Sequence, residues 1–238
     1  MTNLDPKISI CVPSRGRPLQ LNAMIESSLD LAKNSQGIEF LIYADDDDLS
    51  MANFSHPLAT VLRGKRQAIS KMTNLLASIS QGSLIMYAAD DIIFRTENWD
   101  SMVLEHYASS EHKICLIHGE DLGQDAIKIA THGFISRDLY KLLGYILPNY
   151  FKADFCDTWM TEICAKSGTR MFDPNLIIEH MHPTWGKARI DDTYRSAKIS
   201  SYLGNFLLYK ILWVNRNRAI RKIRNYCAAF ATKDSNSE

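Results

Sequence analysis

An apolar run, Leu84-Ile85-Met86-Tyr87-Ala88-Ala89, ends abruptly at two adjacent carboxylates, Asp90 and Asp91. A run of this length and composition reads as a buried strand, and its polar end marks where a sheet meets solvent. Ligands of open α/β sheets bind at the carboxyl ends of the strands, where paired acids suit a divalent cation and a phosphate-bearing ligand. A turn followed by a helix cap would use the same residues, because Asp is common wherever a strand gives way to a turn.

The pattern recurs upstream. Ile8, Ile10 and Val12 alternate with other residues and then stop at Pro13-Ser14-Arg15-Gly16-Arg17-Pro18. Pro18 suits a first helical turn, and Leu21, Met24, Ile25 and Leu29 supply a helical stripe. A second strand, Glu39 to Ala44, runs into Asp45-Asp46-Asp47-Asp48. After Arg63-Gly64-Lys65-Arg66, the residues Ile69, Met72, Leu75, Leu76 and Ile79 again recur at helical spacing. This βαβαβ order predicts an α/β fold with a largely parallel sheet and helices on both faces. One rim of that sheet would gather Arg15, Arg17, Asp45 to Asp48, Asp90 and Asp91.

The second half is less regular. Lys113 to His118 and Ala126 to Ala130 read as short strands, and Leu176 to His182 as another. Arg137 to Leu143 reads as a helix stopped by Gly144, and Asp157 to Ser167 as one stopped by Gly168. In the last strand Leu176, Ile178, His180 and His182 share a face, so the two histidines could approach one ligand.

With 46% hydrophobic and 23% charged residues, the 238-residue chain has the composition of a globular protein, enough for one α/β domain with an appendage. Five scattered cysteines without a CxxC pair fit neither a full disulfide set nor a zinc ribbon. The opening Met-Thr-Asn-Leu-Asp-Pro-Lys lacks the regions of a signal peptide, and no run of about 18 uncharged apolar residues occurs. A cytoplasmic location is expected. Net charge is zero but unevenly placed, −7 over residues 1–186 and +7 over residues 187–238. The tail joins Tyr202, Leu203, Phe206, Leu207, Leu208, Ile211, Leu212, Trp213 and Val214 to Arg216, Arg218, Arg221, Lys222 and Arg224. Such a segment either packs on the domain or a second subunit, or lies peripherally on the inner face of an anionic membrane. A nucleic-acid role is disfavoured, because the basic cluster carries no recognised reading motif.

Taken together, the Pro13-Ser14-Arg15-Gly16-Arg17-Pro18 turn, the acids after the second strand, the Asp90-Asp91 pair, Phe155-Cys156-Asp157-Thr158-Trp159 and His180-Met181-His182-Pro183 resemble glycosyltransferases of the GT-A fold, near family 2. The resemblance runs from about residue 7 to residue 195. It implies a Rossmann-like, mixed but mostly parallel sheet with a helical C-terminal extension. It also implies a domain over residues 1–195, with a nucleotide-sugar half to about residue 95 and an acceptor half beyond, followed by a basic extension at residues 196–238.

The implied activity is transfer of a sugar from a nucleotide-sugar donor to the hydroxyl of a glycan or other acceptor, with Mn2+ or Mg2+ neutralising the departing diphosphate. UDP-sugars are favoured over GDP-sugars as donors. By the same resemblance Asp91 and His182 hold the metal, with His180 as the lesser candidate, and Asp90 faces the donor ribose. Family members carry an acid, any residue, then an acid; here Ala89 takes the first place, which leaves the division of roles between Asp90 and Asp91 open. Asp45 or Asp46 meets the nucleobase, and Pro13, Ser14, Arg15 and Arg63 complete the donor site. Asp157 becomes the general base of an inverting transfer, although an acid in a first helical turn also stabilises the helix. Lys187, after Trp185-Gly186, could fold over the diphosphate as part of a closing loop. For Arg17, Lys65 and Arg66, solvated surface positions are expected. Two other readings stay open: a non-catalytic sugar- or nucleotide-binding scaffold of the same fold, and a sugar nucleotidyltransferase, which would want more than the single glycine of Ser14-Arg15-Gly16-Arg17. Sugar, acceptor and oligomeric state are not written in these motifs.

Overall fold

A computed structural model describes residues 7–123, 126–152, 154–189 and 202–234. The first half contains β1 (Ile8–Ser14), α1 (Pro18–Asp30), β2 (Ile38–Asp45), β3 (Ala59–Gly64), α2 (Ile69–Ile79), β4 (Leu84–Tyr87) and β5 (Ile92–Phe94). The second contains α3 (Trp99–Ser109), β6 (Leu116–Glu120), β7 (Gly133–Ser136), α4 (Arg137–Leu143), α5 (Cys156–Ser167) and β8 (Arg170–His180), followed by α6 (Tyr202–Ile211) and α7 (Trp213–Asp234).

The strands form one eight-stranded sheet in the order β3-β2-β1-β4-β7-β6-β8-β5. Strands β3, β2, β1 and β4 are mutually parallel, as are β6 and β8. β7 runs antiparallel between β4 and β6, and β5 pairs antiparallel with the end of β8. The sheet is therefore mixed and mostly parallel.

Strand periodicity separates two apolar layers. Ile8, Ile10 and Val12 of β1 and Phe40 and Ile42 of β2 face Leu21, Met24 and Ile25 of α1 and Trp99 of α3. Cys11, Leu41 and Tyr43 face the opposite way, onto Met72 and Leu76 of α2 and onto Trp159 and Ile163 of α5. All five cysteines are free thiols. The basic extension packs on this second layer: α7 buries Ala219, Ile220 and Ile223 there. Its Arg216 lies over the rings of Trp159 and Tyr209, at 5.5 and 3.8 Å, and pairs with Glu162 at 2.9 Å.

Some elements differ from expectation. β3, β5, β7 and α3 lie where no regular element was anticipated. Residues 126–130, read as a strand, form a turn instead. There the Ala130 N–H donates to Thr161 Oγ1 at 3.0 Å and its carbonyl accepts the Tyr87 hydroxyl at 2.8 Å, so side chains satisfy this backbone in place of a neighbouring strand. β8 starts earlier than expected and ends at His180, leaving His182 to cap a short 3₁₀ turn, Pro183–Trp185.

Candidate active site

Parallel pairing of β1 with β2 and β4 brings their carboxyl ends to one rim. Pro18 opens α1 directly after β1, and this early start turns Arg17, at the N-cap position, back over the end of β4. Arg17 is only 9% exposed. Its Nη1 donates to Asp90 Oδ1 at 3.0 Å and to Asp91 Oδ2 at 3.2 Å. Ser14 Oγ donates to the other Asp90 oxygen at 2.8 Å. Burial pushes the Asp90 carboxyl up to about 6 despite the Arg17 charge. Arg17 was expected at a solvated surface; it is instead the cation around which the two acids are organised.

The antiparallel register Ile92↔His180 carries the end of β8 to the same point. His180 Nε2 lies 3.2 Å from Asp91 Oδ1, and the Met181 N–H donates to the Asp91 carbonyl at 2.7 Å. Burial alone would raise the Asp91 carboxyl, but His180, Arg17 and His182 outweigh it and hold the group below its ordinary value. The rings of His180, His182 and Trp185 cluster with centroids 5.1 to 5.5 Å apart. Burial, with His180 close by, lowers the His182 imidazole and favours its neutral form. Gly123 permits this grouping, since a Cβ there would collide with the Trp185 ring.

On the other side of the rim, Arg15 pairs with Asp45 at 2.8 Å and with Asp47. Asp45 is buried, and Arg66 Nε stands 4.0 Å from it. Asp48 fixes the loop by accepting the Gly16 N–H at 2.7 Å and the Ser50 N–H at 3.0 Å. Across from these groups, the first turn of α5 presents Asp157, whose Oδ1 accepts the Thr158 N–H at 2.7 Å. Burial pushes the Asp157 carboxyl above its ordinary value. The residue before α5, Phe155, adopts φ 71° and gives no side-chain cap.

These groups line one cleft of about 1350 Å³. Pro13, Ser14, Arg15, Asp45, Asp90, Asp91, Asp157 and His182 all border it. So does His180, the lesser metal candidate, and so do Arg17 and Arg66, expected at solvated surface positions, and Lys71, Tyr150, Lys152 and Trp185, to which the sequence assigned no role. Three candidates lie off its lining. Asp46 is exposed and gives its backbone N–H to the Gly64 carbonyl at 2.8 Å. Arg63 donates to the Met51 carbonyl at 2.7 Å, which ties down the loop after β2. Lys187 pairs with Glu179 at 2.7 Å and donates to the Leu122 carbonyl at 2.9 Å, so local acceptors hold it back.

A cleft of this volume exceeds the usual range for a single small ligand and has room for a bulky, extended one. Its floor is compatible with a divalent cation: Asp91 Oδ1 is buried without a well-directed hydrogen bond, as is His180 Nδ1. Among the described residues no three His, Cys, Asp or Glu side chains already converge as a cation cage. A cation here would draw the rest of its oxygen shell from the ligand.

No protein-family model and no curated protein matches the chain. Solved structures do match in fold. A mannosyltransferase from Pyrobaculum calidifontis, PcManGT, solved with GDP-Man and Mn2+, superposes with a TM-score of 0.61 at 12% identity, covering 99% of this chain and 76% of that one. TarS from S. aureus superposes with a TM-score of 0.56 at 13% identity over 73% of this chain. The present chain spans only 36% of the length of that TarS structure. A TarS 1–349 structure in complex with UDP gives a TM-score of 0.56 at 12% identity, covering 73% of this chain and 60% of that one. The chain thus shares the Rossmann-like fold of known glycosyltransferases.

Proposed function

We propose that this chain is a glycosyltransferase of GT-A type that moves a sugar from a nucleotide-sugar donor to an acceptor hydroxyl, with inversion at the anomeric carbon. The observation that carries the reading is the Asp90–Arg17–Asp91 cluster at the strand ends, with a half-buried carboxylate, Asp157, lining the same cleft. The donor half extends to about residue 95, the acceptor half to about residue 195, and the basic extension follows.

Arg15 and Asp45 would hold the nucleoside end, with Ser14, Pro13 and Arg66 beside it. Asp90, kept in place by Ser14 and Arg17, would meet the ribose. Arg17 gives the diphosphate a fixed positive charge in a partly dehydrated site, where it acts more strongly than in water. Asp91 and His182 would hold Mn2+ or Mg2+, with His180 supporting Asp91; such a cation supplies further neutralisation of the departing diphosphate. PcManGT, with GDP-Man and Mn2+, and TarS, with UDP, support a nucleotide-sugar donor of either base.

Asp157 would accept the acceptor hydroxyl proton as that oxygen attacks the anomeric carbon. The bond from this carbon to the diphosphate oxygen breaks, and the electron pair leaves with the nucleoside diphosphate. A carboxylate raised by burial is a better base than an ordinary one, which suits this task. Turnover of UDP- and GDP-sugars, read as released nucleoside diphosphate in the presence of a panel of hydroxyl acceptors, tests the reading. Release that requires both Asp91 and Asp157 is expected; release unchanged by Asp157→Asn would remove the base from the mechanism.

A further inference from the structure

We infer that the outer face of α6 and the start of α7 is a docking surface for an anionic lipid bilayer. The extension buries one side against the domain through Ala219, Ile220 and Ile223. Its other side leaves Ile211 72%, Trp213 59% and Leu207 54% exposed, with Val214 and Phe206 beside them. Large apolar side chains gathered within nine residues are not the scattered exposure normal for a protein surface.

Helical spacing continues the same face into cations. Arg218 lies four residues after Val214, Arg221 and Lys222 follow at the next turn, and all three are exposed. No Asp or Glu occurs between Tyr202 and Phe230, while six Lys and Arg do. Apolar side chains that enter the headgroup boundary, with adjacent cations that meet acidic lipid, are the two attractions of an interfacial helix. Tryptophan favours that boundary. A second copy of this chain is the weaker occupant, because a two-fold interface would bring the exposed cations Arg218, Arg221 and Lys222 against their own copies.

The surface abuts the cleft. Asn215 Nδ2 donates to the Tyr150 hydroxyl at 3.3 Å, and Tyr150 borders the cleft. Phe206 packs on Phe155, at 6.1 Å between centroids, immediately before the helix that carries Asp157. A bilayer on this face would lie beside the Asp157 end; on the transferase reading, and resting on it, the acceptor is then membrane-resident.

Sedimentation of the full chain with phosphatidylcholine vesicles, with and without phosphatidylglycerol, tests the docking without reference to activity. Binding only to the phosphatidylglycerol vesicles is expected, weakened by salt. Arg218→Gln with Arg221→Gln should lower it about tenfold or more, and Ile211→Gln with Trp213→Gln should abolish it, both without loss of thermal stability. Vesicle addition should also shift tryptophan emission to the blue, and Trp213→Gln should remove that shift. Absence of sedimentation, or a dimer in light scattering that Ile211→Gln dissociates, would overturn the proposal. Docking with no transferase activity would leave this surface standing and remove the membrane-resident acceptor.

Discussion

Arg17 and Asp90 form a buried ion pair at the carboxyl end of β4, with 3.0 Å between Nη1 and Oδ1. Removing one partner of such a pair strands a buried charge, so Arg17→Ala should cost about 3–5 kcal/mol of folding stability. The Arg95–Glu179 pair, 2.7 Å apart but on the surface, provides the contrast: Arg95→Ala should cost less than about 1 kcal/mol. Urea denaturation of the two variants measures both, and equal losses would contradict the buried role given to Arg17.

Asp157→Asn should separate function from folding. The amide keeps an Oδ1 acceptor for the Thr158 N–H, so the first turn of α5 should stay intact. Loss of a general base should lower transfer about 10²–10⁴-fold. Thermal denaturation beside donor turnover checks the pair of expectations; a variant that is inactive because it is unfolded would not support the assigned role.

The same carboxyl sets a pH dependence. Its folded-state value lies above its ordinary one because of burial; in the proposed mechanism only the ionised form can take the acceptor proton, so transfer should rise with pH through that raised value. The stability effect runs the other way. The folded state binds this proton more tightly than the unfolded chain, so ionising Asp157 weakens the fold as pH rises through the folded value. Asp157→Asn should therefore gain in relative stability from acid to neutral pH. A melting-temperature series for wild type and variant measures this, and a relative gain on acidification would have the wrong sign.

Two glycines should respond differently to alanine. At Gly119, in β6, a Cβ would collide with the Leu176 backbone of β8. Backbone cannot swing aside, so Gly119→Ala should destabilise severely, by more than about 3 kcal/mol. At Gly123 the obstacle is the Trp185 side chain, which can move. Gly123→Ala should change tryptophan emission and weaken ligand binding with little change in melting temperature.

Strands β1, β2 and β4, with α1 and α2 between them, were legible because their apolar patterns are regular. Ile8, Ile10 and Val12, and then Leu84 to Tyr87, are buried as their patterns require. Gly144 and Gly168 end α4 and α5 with φ of 82° and 78°, as helix-stopping glycines do. β3 was not legible, since Thr60 and Arg63 are exposed and break its apolar pattern. β5 has three residues and takes its form from pairing with β8, which no local pattern announces.

In the candidate site, acids at strand ends could be read from position alone, and Asp45, Asp90 and Asp91 do border the cleft; Asp157, in a first helical turn, was singled out only through the resemblance, and it borders the cleft as well. The basic residues were less legible: Arg15 borders the cleft as expected, but the others could not be sorted from sequence. Charge type does not tell a side chain that reaches a cleft from one engaged nearby, as Arg63 is with the Met51 carbonyl and Lys187 with Glu179. Arg17 is the converse: its neighbour Pro18 marks where α1 begins, but only the assembled sheet puts the end of β4 beneath it.

The donor site is tested most sharply by calorimetric binding of UDP and GDP, with and without Mn2+, to the wild type and to Asp91→Ala. A cation held by Asp91 in a nucleotide site should give binding of at least one nucleotide that Mn2+ strengthens and that Asp91→Ala deprives of its metal dependence. Absence of binding by both nucleotides under every condition, or binding whose Mn2+ response survives in Asp91→Ala, would contradict it.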